Sequence, residues 1–204
     1  MLLPVLETQR LIIRPFRMDD LDDIHRILDV ELAEASWGSR DETQTMDERR
    51  QWLQWTVMGY EQLAKLYQPP HGDRVIALRL SGHLIGAIGY VPCLAPFEQL
   101  PSLRSPHMSD GLRPHTTEFG LYYAVSPTFQ YQGYATEAAR AMVDYAFNTL
   151  KPKRIVATTT YDNAASMGVM RKLGMRVEQN PLPEPPWFQV VGILENMVDS
   201  SQYL

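Results

Sequence analysis

The chain reads as an α/β (α+β) protein with a mixed, mainly antiparallel sheet flanked by helices. Three observations predict this. Residues 74–80 and 84–90 are two strand-like runs around Ser81-Gly82, a hairpin in the first half of the chain. From Thr117 onward, strand-like runs alternate with helix-like ones, so a hairpin half is joined to an alternating half and a doubly wound parallel sheet is excluded. The chain has 204 residues, 45% hydrophobic and 21% charged, a size and composition that fit one globular domain over residues 1–204.

Arg10-Leu11-Ile12-Ile13-Arg14 reads as the first strand, stopped at Pro15. Asp19 and Asp20 are candidate caps for a helix carrying Leu21, Ile24 and Leu28 at helical spacing. Asp47-Glu48 open a longer helix with Leu53, Val57, Tyr60, Ala64 and Tyr67 in one stripe; Trp52 and Trp55 beside it are expected in the core. Residues 38–40 between these helices are expected to form a mobile loop. Gly86 and Gly89 inside the second hairpin strand predict close packing of another segment there.

Residues 92–117 hold five prolines and no clear period, so an irregular span is expected, either a lid over a site or an oligomer contact. His107 and His115 within it read as solvated loop histidines. Thr117–Val125 is the central strand, with Glu118, Gly120, Tyr122 and Ala124 on one face. A helix follows from Ala135, burying Ala135, Ala138, Ala139, Met142, Val143, Ala146 and Leu150 and ending before Pro152. Residues 154–160 are the next strand. Asp162-Asn163 cap a short helix through Leu173, with Gly174 past its end. After a proline cluster at 181–186, residues 187–194 return as the last strand.

Between the central strand and its helix lies Gln130-Tyr131-Gln132-Gly133-Tyr134-Ala135-Thr136-Glu137. A loop that leaves a strand and opens a helix turns unpaired N–H groups toward one point, with the positive helix end behind them, and so forms a site for a phosphate-like anion. Gly133 lets the backbone approach, and Ala135 keeps the first turn uncrowded. The Lys-Ser/Thr of a P-loop and the three glycines of a dinucleotide loop are both absent.

The spacing Gln130, Gly133, Ala135 resembles the pyrophosphate loop of the GNAT N-acetyltransferases. Together with Thr136-Glu137-Ala138, Asn163-Ala164-Ala165-Ser166, Lys172-Leu173-Gly174-Met175 and the opening Leu6-Glu7-Thr8-Gln9-Arg10-Leu11, it is similar to the RimJ/RimL-type branch over nearly the whole chain. The resemblance implies the GNAT fold and acetyl-CoA as co-substrate. The pyrophosphate would lie on the amides of Gln132, Gly133, Ala135 and Thr136, within a loop that also includes Gln130 and Tyr134. The N–H near Val125 would face the thioester carbonyl, where two strands part. Asn163 would bond the pantetheine arm.

Transfer to an amine needs the neutral amine. Deprotonating a lysine-like group near pKa 10.4 at neutral pH costs roughly 4–5 kcal/mol, an α-amine near 7.8 only about 1 kcal/mol. Glu118 is the candidate base, on the face of Tyr122. Many relatives protonate the leaving thiolate with a Tyr seven residues after the Asn. That position here is Met170, so Ser166, which alternatively only bonds the CoA sulfur, and Tyr122 are the candidate acids. The acceptor is expected to be a protein N-terminal α-amine or a small-molecule amine. A non-catalytic acyl-CoA-binding module is the alternative.

The net charge of −5 argues against a nucleic-acid partner. No apolar run reaches span length and the N-terminus carries no signal pattern, so no membrane partner is expected. A single cysteine, Cys93, read as a small buried hydrophobe, fits a reducing cytoplasmic setting. No metal site is expected, and the protein is read as a monomer or homodimer.

Overall fold

The computed structural model describes residues 4–35, 43–104, 114–182 and 184–197. Its strands are β1 Leu6–Glu7, β2 Leu11–Pro15, β3 Gly72–Leu78, β4 Leu84–Ala95, β5 Thr116–Val125, β6 Arg154–Thr159, β7 Arg176–Gln179 and β8 Val190–Glu195. They form one sheet in the order β1-β2-β3-β4-β5-β6-β8-β7. The β1–β2, β2–β3, β3–β4, β6–β8 and β7–β8 pairs are antiparallel, and β5–β6 is parallel, with Phe119 opposite Ile155 and Gly120 opposite Val156. The helices are α1 Leu21–His25, α2 Leu32–Glu34, α3 Met46–Lys65, α4 Tyr134–Tyr145 and α5 Ala164–Lys172; π-type turns at Arg26–Glu31 and Ala146–Leu150 follow α1 and α4. The mixed, mainly antiparallel sheet flanked by helices is the architecture that the sequence predicts. The chain divides into two compact units, residues 1–91 with 121–142 and residues 92–120 with 143–204.

In the first unit Phe16, Ile24, Ile27, Leu53, Val75, Ala77, Leu84 and Ala87 form the core, with Trp52 and Tyr122 against it. The start of α3 is spelled by Thr45-Met46-Asp47-Glu48. Thr45 Oγ1 accepts from the Glu48 N–H at 3.3 Å, and the Thr45 N–H donates to Glu48 Oε2 at 2.8 Å, a reciprocal capping box. The cap is therefore Thr45, two residues before the expected opening. Tyr67 lies past the end of α3 with φ +57° and is 94% exposed, so the predicted stripe stops short of it. Trp55 is 66% exposed; only Trp52 enters the core, edge-on to Phe16 at 5.6 Å. Arg49 in α3 makes a buried bidentate pair with Asp29 (Nε to Oδ2 and Nη2 to Oδ1, both 2.7 Å) and thereby fastens α3 to the π-type turn after α1. Nothing local in the sequence marks this pair.

In the second unit Ala95, Phe97, Leu100, Val156, Phe188, Val191 and Ile193 form a core, with Phe97 edge-on to Phe188 at 5.1 Å. This corrects the irregular span expected from Pro92. β4 runs through Pro92 to Ala95, beyond its last register pair with β3 (Gly72 opposite Tyr90), where a missing N–H removes no bond of that ladder. Residues 95–100 serve as core, not lid. His115 is exposed as expected, whereas His107 and the 38–40 loop lie outside the described residues. β7 is an addition to the expected strands, and the last strand begins at Val190, because residues 185–188 close a turn in which the Phe188 N–H donates to the Pro185 carbonyl at 2.9 Å.

Candidate functional site: an anion loop clasped to the first strands

β5 ends at Val125, a short 3-10 turn Pro127–Phe129 follows, and the chain then doubles back into α4. Two side-chain amides brace the turn: Gln130 Nε2 donates to the Val125 carbonyl and Gln132 Nε2 to the Thr128 carbonyl, each at 2.9 Å. Gln130 is thus spent inside the protein. Tyr131 (φ +58°) and Gly133 (φ +85°) are both left-handed, so successive amides tilt inward and form a concave nest. The first bond into α4 runs from the Glu137 N–H to the Gly133 carbonyl at 3.0 Å. Among the described residues, the N–H groups of Tyr131, Gln132, Gly133, Tyr134, Ala135 and Thr136 meet no protein acceptor. Donors left unpaired at a positive helix end can take a phosphate-like anion.

Glu137 explains why two motifs far apart in the chain occur together. Its Oε1 accepts from Thr8 Oγ1 at 2.6 Å and from the Arg10 N–H at 2.9 Å, and its Oε2 accepts from Arg10 Nε at 2.6 Å. Arg10 also donates through Nη1 to the Gln132 carbonyl at 3.1 Å, and its guanidinium lies 4.3 Å from the Tyr134 ring centre. The β1–β2 connection is therefore tied to the first turn of α4, and a cation stands beside Gly133. Burial alone would raise the Glu137 carboxyl. The bonds from Thr8 and Arg10, and the Arg10 charge, hold it below the ordinary range instead. Its stabilising contribution is present above the unfolded carboxylate pKa of about 4.3 and is lost as pH falls through the lower folded value. Replacing Glu137 with Gln is expected to cost about 1–2 kcal/mol at neutral pH, read as a lower urea midpoint, and to leave the acid limb shallower.

The end of β5 is set by Gly86. A Cβ there would collide with the Ala124 carbonyl oxygen, so β4 and β5 approach closely at this point, as the sequence predicts. The Ser126 N–H donates to the Ile85 carbonyl at 2.8 Å, which narrows the candidate oxyanion donor to Val125 itself. Tyr122, half-buried, packs on the first unit's core.

In the second unit, Arg154 Nε stands 3.3 Å from Glu118 Oε2, and its Nη1 donates to Glu195 Oε1 at 3.2 Å. Burial pushes the Glu118 carboxyl up, Arg154 pulls it back and Glu195 adds to the rise. Glu118 is thus a half-buried, ion-paired acid. Cys93 nearby is half-buried, and burial with the Glu118 charge pushes its thiol up to about 11, which makes it a poor nucleophile at neutral pH. Asn163 caps α5, its Oδ1 accepting from the Ser166 N–H at 2.9 Å, so Asn163 and Ser166 are brought together. Met170, at the place where many relatives carry a Tyr, is fully buried; it and Met175 press on Gly192 of β8, where a Cβ would lie within 3.0 Å of both. Its apolar character is a packing requirement.

Residues 10–176 match the acetyltransferase (GNAT) domain. The chain belongs to the GNAT acetyltransferase family. It is 44% identical over 64 residues to the uncharacterized N-acetyltransferase YnaD of Bacillus subtilis (strain 168), a stretch covering 31% of this chain and 36% of that relative's length. It is 27% identical over 176 residues to the uncharacterized N-acetyltransferase YoaA of the same organism, covering 86% of this chain and 84% of the relative. In fold it is similar to the ribosomal-protein-S5-alanine acetyltransferase of Vibrio fischeri: TM-score 0.65, 14% identity, 97% of this chain and 98% of that one. No helix among the described residues is long and apolar enough to cross a membrane.

Proposed function

We propose that this chain is an acetyl-CoA-dependent N-acetyltransferase of the RimJ/RimL-type branch, acting on a primary amine by direct transfer in a ternary complex. The observation that carries the reading is the set of six N–H groups from Tyr131 to Thr136 without a protein acceptor, with Arg10 beside them. Acetyl-CoA supplies an activated acetyl thioester. The amides of Gln132, Gly133, Ala135 and Thr136 hold its pyrophosphate. The Val125 N–H faces the thioester carbonyl and favours the negative charge that develops there. Asn163 bonds the pantetheine arm with the amide nitrogen that its capping bond leaves over. Glu118 takes the proton of the attacking amine, and Ser166 or Tyr122 returns one to the CoA sulfur. The acceptor is a protein N-terminal α-amine or a small-molecule amine, and the setting is cytoplasmic, as a monomer or homodimer.

The test is release of CoA thiol from acetyl-CoA with a panel of primary amines and short peptides bearing free N-termini. Amine-dependent release above background hydrolysis is expected, and Glu118→Gln is expected to lower kcat about 10²–10³-fold with little change in acetyl-CoA affinity. No release with any amine counts against the reading. The ion pair at Glu118 and the buried Met170 favour one second reading, a module that binds acyl-CoA without transferring. Tight binding with no turnover would decide for it.

A further inference from the structure

β3 begins Gly72-Asp73-Arg74, and Asp73 stands opposite Gly89 of β4. Alternation puts Asp73 on the face of Val75 and Gly89 on the face of Ala87, both in the core that α1 and α3 cover. Tyr122 of β5 packs on the same core. A Cβ at Gly89 would lie 2.5 Å from the Gly72 carbonyl oxygen and 2.6 Å from Asp73 Oδ1, so the start of β3 and the Asp73 carboxylate together use the space of the missing side chain. The glycine is what admits it.

The charged and titratable groups around this carboxylate have other partners. Arg49 of α3 is held by Asp29 with two bonds. Tyr60 of α3 accepts from the Phe16 N–H at 3.1 Å and donates to the backbone carbonyl of Asp73, not to its side chain; burial pushes its hydroxyl up to about 12, so it stays a donor. Asp20, before α1, is bonded to Arg14 at 2.7 and 2.8 Å. Arg74, the neighbour on β3, lies with its guanidinium 5.0 Å from the Tyr60 ring centre. Among the described residues the Asp73 carboxylate has neither a hydrogen bond nor an ion pair. Burial pushes its carboxyl up to about 6, with the Arg49 charge pulling the other way, so it is ionised at neutral pH. A half-buried anion without a partner, reachable from solvent, is a ready site for a cation.

We propose that Asp73 is the recognition carboxylate for the acceptor, binding the ammonium form of a primary amine over Gly89 on the Tyr122 face of the sheet. This rests on the acetyltransferase reading for the identity of the ligand, and names the cationic amine as the class that this face selects. The role is binding; the proton leaves the amine elsewhere.

The test titrates n-butylammonium chloride, and n-butanol as its uncharged counterpart, into the full chain with and without CoA, by calorimetry. Wild type is expected to bind the cation at least ten times more tightly than the alcohol. Asp73→Asn is expected to remove that difference, and Asp73→Glu to keep part of it. Wild-type affinity for the cation is expected to rise between pH 5 and pH 7 with a midpoint near 6, because the carboxylate is present only above its pKa. The Asn variant is expected to show no such rise and to melt at least as high as wild type, having lost an uncompensated charge. Equal binding of cation and alcohol by wild type, or unchanged cation binding by the Asn variant, overturns the proposal; should that variant fail to fold, a flat wild-type pH profile overturns it. CoA binding is followed in the same titrations. Its absence in wild type would sink the loop reading and leave the cation result standing.

Discussion

Gly133→Val is expected to weaken acetyl-CoA binding at least a hundredfold, about 2.7 kcal/mol at 1.36 per decade. Gly133 sits at φ +85°, where a β-branched side chain is strained by about 1–3 kcal/mol. The first added carbon would also lie 3.4 Å from Arg10 Nη2, and its branches would crowd the guanidinium further. Relief of that strain turns the amides of Gln132 through Ala135 away from their common target, so the loss falls on anion binding more than on folding. Calorimetric titration with acetyl-CoA checks this, with Gly168→Ala as the control, since nothing lies within 4 Å of a Cβ there. A dissociation constant within threefold of wild type would remove the loop from the binding site.

Arg49→Met is expected to destabilise the protein by about 3–5 kcal/mol, because it leaves Asp29 with a side chain only 2% exposed and no countercharge. The loss is of the partner's compensation, not of an intrinsically strong bond. The double variant Arg49→Met with Asp29→Leu is therefore expected to recover most of the stability, since it removes both charges and fills similar volume. Urea unfolding of the four proteins in the cycle measures both effects. A single variant within 1 kcal/mol of wild type would mean that water reaches Asp29 in the folded state.

What could be read in advance was what is local in the chain. The hairpin around Ser81-Gly82, the Asn163 cap, Gly174 past α5 and the Gln130–Thr136 loop each depend on neighbours within a few residues, and the structure has each of them in place. The capping box at Thr45 is also local, a Thr-x-x-Glu pattern overlaid by Asp47 and Glu48, which suit a helix's first turn in their own right. What stayed hidden depends on distant partners. Five prolines masked the continuation of β4 to Ala95, whose burial against Phe188 and Val191 only the fold supplies. β7 is four residues long and gains its identity from β8. Arg49 and Asp29 are twenty positions apart on two helical segments, and each reads alone as an ordinary surface charge. Asp73 gave no signal of its own; the interior glycine at 89 did, correctly marking a close approach without saying by what.

The carboxylate of Glu137 is bonded to residues 127 and 129 positions earlier. During synthesis Thr8 and Arg10 leave the ribosome long before their partner exists, so the loop at 130–137 cannot be fully tied down as it emerges. It is finished only when that earlier segment returns to meet Glu137. Completion of the anion loop is thus a late event in the protein's own assembly.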